Sequence, residues 1–357
     1  MNRAVSDPSA SQGHIDPADP LGLFGLKVAN RFAPVRYLGR TSVASIYRSV
    51  HTLMEQVCFL KIVEHDPLSE DGMPASLRRE AQATAKQDHS SLLRMYDAGV
   101  KGGFAYLAQE WSDGPNLRAI MNQGADVGVP DLLSMGLQLL DAVCALHRKG
   151  VILRAFDPER ILVPSINGRV LLRLFDLSRV TYVGEQGEPA TRRATGGFHI
   201  RSTRYMAPEE IMEKPCDERS DIYSFGVLLA ELIGGEYPYA TCGSGPTAYV
   251  VSHLKEEPRP LAVDERPGVP QDLPSIVLRM LAKDPADRFQ TAEDVRRALE
   301  DIIVPDMMRL RSDKQVLNAW RKNVRSSIAQ RRGSDLDLSD SRAPLGLSAS
   351  AEAEGKP

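Results

Sequence analysis

Gly150-Val151-Ile152-Leu153-Arg154-Ala155-Phe156-Asp157-Pro158-Glu159-Arg160-Ile161-Leu162 is the stretch whose reading decides the fold. Its meaning comes from its flanks. Upstream, Asp131 to Lys149 reads as a helix. Leu132 to Leu146 is apolar enough to suggest a membrane span, but Gln138, Asp141 and His147 interrupt it at helical spacing, so it reads as a buried amphipathic helix. No uninterrupted apolar run reaches the roughly 20 residues a bilayer requires. Downstream come Phe175-Asp176-Leu177-Ser178, Met206-Ala207-Pro208-Glu209, Asp221-Ile222-Tyr223-Ser224-Phe225-Gly226-Val227 and Asp284-Pro285-Ala286-Asp287-Arg288-Phe289, in that order.

Composition narrows the class. The chain has 357 residues, 42% hydrophobic and 25% charged, as expected of a soluble globular protein with one large domain or a two-lobed unit. A net charge of -3 gives no global reason to expect nucleic acid or an anionic membrane as partner. Cys58, Cys144, Cys216 and Cys242 are widely separated, which indicates neither a metal knuckle nor a disulfide framework. A reducing, cytoplasmic setting is the expectation. Met1 to Pro20 is polar and lacks the charged-then-apolar order of a signal peptide.

The chain divides by pattern. Residues 1–30 are expected to form a flexible leader. Residues 31–111 are strand-rich: Val35–Leu38 leads to a turn at Gly39, Ser45–Val50 alternates with period two, and Gln56–Val63 follows. A helix over Ser76–Gln87 comes next, then two strands ending in Ala105–Trp111. Ser112-Asp113-Gly114-Pro115 is a natural hinge. Residues 112–304 are mostly helical, over Leu117–Met121, Asp131–Lys149, Ser220–Leu232, Thr247–Lys255, Leu273–Leu281 and Thr291–Ile303. A strand-rich front and a helical rear predict two lobes with a cleft between them. Residues 305–332 are expected to form a basic amphipathic helix. Eight Lys or Arg face one acid between Arg309 and Arg332, while Val316, Trp320, Val324 and Ile328 share one face. Residues 333–357 read as a disordered tail.

Together these motifs resemble the eukaryotic-type serine/threonine protein kinase family over about residues 35 to 303. The resemblance implies an α+β bilobal fold, with a small antiparallel β lobe carrying one main helix and a large helical lobe. It makes Lys61 the lysine for the α- and β-phosphates of ATP, Glu80 its ion-pair partner, and Asp176 the ligand of Mg2+. Gly39 belongs to the glycine-rich loop, and Glu110, Trp111 and Ser112 to the hinge. Glu209 is expected to pair with Arg288, and Asp221 to anchor the large lobe.

The opening stretch departs from that family. Its usual text there is H-R-D-L-K-P-E-N. Ala155 stands at the position of the catalytic base, whose assistance is worth about 10²–10⁴ in rate. Asp157 stands where a lysine meets the γ-phosphate, and could serve as base only if the loop shifted. Arg160 replaces the asparagine that holds a second magnesium. A guanidinium cannot ligate a cation, so Arg160 is expected to pair with Asp176 instead. In the glycine-rich loop only Gly39 remains, because Thr41 and Ala44 occupy the other two glycine positions. Phe59 replaces a small residue over adenine. It either fills that pocket or turns towards Leu107 or Ala108 and leaves it open. Leu153 and Leu177 replace an aromatic pair in the apolar column between the lobes.

Between Asp176 and Glu209 lie Thr191, Thr195, Ser202 and Thr203 beside Arg192, Arg193 and Arg201. In the family this is the activation segment, and Arg154 resembles the arginine that receives its phosphate. The resemblance therefore implies a pseudokinase, a regulatory or scaffold module with weak or no nucleotide binding. Its expected partner is a protein, such as an active kinase or another signalling protein. A working Ser/Thr kinase with displaced catalytic groups is the alternative.

Overall fold

The computed structural model describes residues 17–41, 43–64, 72–85, 88–122, 127–154, 156–166, 169–184, 202–240, 245–261 and 268–310. Ala155, the segment 185–201 and everything beyond 310 fall outside these residues. So do the expectations placed on Thr191, Thr195, Arg192, Arg193 and Arg201, on most of the basic C-terminal helix, and on the tail.

The upper lobe is one antiparallel sheet. Its strands are β1 (Phe32–Arg40), β2 (Ser45–His51), β3 (Gln56–Glu64), β4 (Met95–Lys101) and β5 (Phe104–Glu110), in spatial order β1-β2-β3-β5-β4. β2 and β3 pair without a slip from Ser45↔Ile62 to His51↔Gln56. β3 pairs with β5 so that Phe59 faces Gln109 and Lys61 faces Leu107. Side chains alternate across a strand. Phe59 and Lys61 therefore share one face of β3, and Cys58, Leu60 and Ile62 share the other. Helix α1 (Ala75–Ala85) packs Leu77 and Ala81 against Ala105 and Leu107.

The expected flexible leader fails for its described part. Leu23 and Val28 are buried against Phe32, Tyr47 and Leu60 on the outer face of the sheet. Asp19 accepts hydrogen bonds from the Tyr47 hydroxyl at 3.2 Å and from the Phe24 N–H at 2.7 Å. Arg31 pairs with Asp97 at 2.9 Å. The physical reason is that the outer face of β3 and β5 is apolar. Covering it returns about 1.5–3 kcal/mol per buried side chain, which offsets the entropy of ordering a short strap.

The lower lobe is helical: α2 (Leu117–Asn122), α3 (Val129–His147), α4 (Pro208–Ile211), α5 (Glu218–Gly234), α6 (Pro246–Lys255), α7 (Leu273–Met280) and α8 (Ala292–Leu310). The last runs past the expected end at Ile303. Local chemistry sets the ends of α5. The Asp217 carboxylate accepts the Arg219 N–H at its start, and Gly235 takes the left-handed conformation (φ 77°) at its end. α3 lies in the lobe's core, its Leu139, Leu140 and Val143 joining Leu229 of α5 and Leu299 of α8. By length and composition α3 is apolar enough to cross a membrane, yet 67% of that window is buried inside the lobe. Gly226 lets α5 approach α7, since a Cβ there would stand 2.8 Å from Met280 Cβ. The chain crosses between lobes at Trp111–Asn116. Gly114 has φ 137° there, and a Cβ on it would meet the Val163 carbonyl at 2.7 Å.

Candidate functional site

The site lies where the inner face of β3 meets the lower lobe. Lys61 is 1% exposed and Glu80, from α1, is fully buried. The Lys61 ammonium donates to the Glu80 carboxylate, to the Phe175 carbonyl at 3.1 Å and to Asp176 Oδ1 at 3.1 Å. It also lies 4.8 Å from the centre of the Phe175 ring. Glu80 Oε1 accepts the Leu177 N–H at 3.1 Å, which ties α1 to the lower lobe.

The Asp176 carboxylate is fully engaged by its own chain. Oδ1 accepts from Lys61 and from the Ser178 N–H at 3.2 Å. Oδ2 meets the Arg160 guanidinium at 3.3 Å and the Ser178 hydroxyl at 3.3 Å. Three hydrogen bonds and one ion pair therefore converge on this carboxylate. Burial alone would raise the Asp176 pKa, but Lys61 and Arg160 overcome it and hold the group well below the usual carboxylate range. Burial pulls Lys61 down, and the charges of Asp176 and Glu80 more than reverse this. The expected Arg160–Asp176 pair is present. Mg2+ at Asp176 would have to compete with these contacts, and the neighbouring guanidinium cannot ligate it.

The sequence left two orientations open for Phe59. The ring turns into the cleft, fully buried, with its centre 4.4 Å from Trp111 and 4.6 Å from Phe175. Leu38 and Ile46 from the sheet and Leu93 and Leu162 below complete the cluster. The sequence reading missed Trp111 and Phe175 as partners in this stack. Trp111 was placed only in the hinge, and Phe175 only framed Asp176. Three bulky aromatics at cleft positions were the available signal. Arg48 stacks over Trp111 at 5.5 Å. In the hinge, Glu110 reaches Arg173 of the lower lobe at 2.8 Å, and Ser112 is buried.

The loop after Gly39 closes on itself. Gly39 has φ 138°. Thr41 Oγ1 accepts the N–H of Ala44 at 3.0 Å and of Val43 at 3.4 Å, and the Thr41 N–H donates to the Ala44 carbonyl at 2.8 Å. These N–H groups are engaged within the loop itself. Asp157 is buried, and its Oδ1 accepts the Glu159 N–H at 2.9 Å, capping the turn Pro158–Arg160. That carboxylate serves the loop's own backbone.

The architectural residues come together. Arg288 is fully buried and grips both oxygens of Glu209 at 2.8 and 2.9 Å, and the Ser220 hydroxyl donates to Glu209 Oε1 at 2.7 Å. Asp221 accepts the N–H groups of Leu153 at 2.7 Å and Arg154 at 2.8 Å, and contacts His147 Nε2 at 2.8 Å. Leu153 and Leu177, expected in an apolar column between the lobes, are buried in the main apolar cluster.

This fold and these motifs have known relatives. The protein kinase domain matches residues 32–299, and the chain belongs to the protein kinase family. A probable serine/threonine-protein kinase of Streptomyces coelicolor is 30% identical, over 77% of this chain and 40% of that protein. The serine/threonine-protein kinase PrkC of Bacillus subtilis is 25% identical, over 80% and 42%. The serine/threonine-protein kinase pkn3 of Myxococcus xanthus is 29% identical, over 85% and 54%. The matched part spans about half the length of these relatives, or less.

Proposed function

We propose that this chain is a pseudokinase, a kinase-fold module that regulates or scaffolds a protein partner and binds nucleotide weakly or not at all. One observation carries the reading: Asp176 is already engaged by hydrogen bonds from Lys61 and Ser178 and by an ion pair with Arg160. Phe59 adds to it by filling the adenine slot with Trp111 and Phe175. Ala155 has no carboxylate with which to accept a hydroxyl proton. The retained Lys61–Glu80 pair persists for structural reasons, since removing one buried partner strands the other. The module is cytoplasmic on this reading. Its partner is a protein, with an active kinase as the leading candidate, and neither nucleic acid nor membrane is expected.

A thermal-shift series with ATP, with and without Mg2+, tests the proposal on wild type and Phe59→Ala. The wild type should show no shift at millimolar ATP, and the alanine variant should gain one. A strong shift of the wild type defeats the filled cleft.

The names of the relatives favour a second reading, a serine/threonine kinase that transfers the γ-phosphate of ATP to protein hydroxyls. Radiolabel transfer to a protein substrate, abolished by Asp176→Asn, would establish it and displace the first reading.

A further inference from the structure

A second ion cluster joins three segments far apart in sequence. Arg154 lies in the loop after Val151–Ile152, Arg179 follows Asp176 by three residues, and Glu210 sits in α4. Their exposures are 6%, 6% and 1%, so each is essentially removed from solvent. Glu210 Oε1 accepts from the Arg179 guanidinium at 2.5 Å and stands 3.3 Å from that of Arg154. Arg179 Nε also donates to the Arg154 carbonyl at 3.0 Å. Arg154 keeps a left-handed backbone (φ 58°), held by Asp221 through the N–H groups of Leu153 and Arg154. Burial lowers the Arg179 pKa, the neighbouring charges of Arg160 and Arg154 lower it further, and Glu210 opposes them. Two buried guanidiniums at this separation need an anion between them.

Arg154 is the residue that the family resemblance gives to an activation-segment phosphate. We infer that Glu210 is a resident counterion standing in for that phosphate, so the segment from Thr203 to Ile211 is anchored without phosphorylation. The carboxylate belongs to α4, so the clasp pulls directly on the end of the segment. The segment's other ties are also internal. The Ser224 hydroxyl donates to the Tyr205 carbonyl at 2.5 Å. His253 Nε2 meets the Arg204 carbonyl at 3.0 Å, and the Arg204 guanidinium pairs with Glu231 at 2.6 Å. Each of these anchors is a side chain already present. The inference concerns order rather than chemistry, and it stands whether or not the chain transfers phosphate.

Hydrogen exchange on the full chain and on Glu210→Gln tests it. Amide protection over Thr203–Ile211 should fall about tenfold or more in the variant. Millimolar inorganic phosphate should restore it there and leave the wild type unchanged. Arg154→Gln combined with Glu210→Gln should lose the phosphate response. If Glu210→Gln does not fold, Glu210→Asp keeps the charge on a shorter arm and should show a smaller fall that phosphate again repairs. Unchanged protection in the variants, a loss that phosphate does not repair, or a gain of protection by the wild type on adding phosphate overturns the inference.

Discussion

In the lower lobe Arg288 holds Glu209 by two prongs, and Asp221 collects two backbone N–H groups and His147. In the cleft Asp176 is shared by a lysine, an arginine and a serine, and the Phe59 ring packs on Phe175. Both clusters use charges that the family resemblance assigns. The lower one keeps the expected partners. In the upper one Lys61 pairs with Glu80 and Asp176, and Asp176 also meets Arg160. Buried charges must be paired whatever the protein does, so architectural pairs admit few replacements. On the pseudokinase proposal, a carboxylate such as Asp176 is retained without its role because another cation, Arg160, neutralises it.

The contrast is sharpest in stability. Arg288→Gln leaves Glu209 buried without its cation and should cost about 3–5 kcal/mol in denaturant unfolding. A loss near zero would place this pair on the same footing as a surface bridge. The next effect is in acid and again belongs to the lower lobe. Burial pulls His253 down to about 3, with the Arg204 carbonyl opposing and Lys283 adding to the fall. The unfolded chain takes up this proton near the ordinary histidine value of about 6.5. Stability should therefore be complete above that value and fall between it and about 3, by at most about 1.4 kcal/mol per pH unit from this one group. In His253→Gln the melting temperature should fall less over that range.

The cleft substitution comes third. Arg160→Asn removes an ion pair from Asp176, and the three hydrogen bonds that remain should limit the loss to about 1.5–3 kcal/mol. The same change should raise Mg2+-dependent nucleotide affinity, most visibly on a Phe59→Ala background. Unchanged affinity in the double variant would mean that Arg160 is not what keeps the metal out. Smallest is Asp157→Ala, which loses the cap on Pro158–Arg160 and should cost about 1 kcal/mol. It should leave any measurable phosphoryl transfer intact. A collapse of transfer would make Asp157 a base and erase the distinction between the two regions.

Much of this was legible in the residues. The alternation of Ser45–Val50, the helical spacing around Gln138 and Asp141, and the hinge at Ser112–Pro115 follow from short-range rules. The motifs around Asp176, Glu209, Asp221 and Arg288 gave the lobes and the chain's path between them. The strap at residues 17–30 was not legible, because Leu23 and Val28 carry no periodicity. They are ordered only by the apolar face they cover. The clasp at Glu210 escaped notice too, since its partners lie 31 residues away at Arg179 and further off at Arg154.

Residue identity alone put Ala155 and Arg160 where the family resemblance expects a base and a metal ligand, because neither identity depends on conformation. Sequence also fixed the lobes, since their periodicities and turn residues act within a few positions. Which way Phe59 turned, and whether Asp176 had an acceptor to spare, were questions of packing. Both depend on side chains from strands, loops and a helix that meet only when the lobes close, and tertiary structure alone brings them within van der Waals or hydrogen-bond reach.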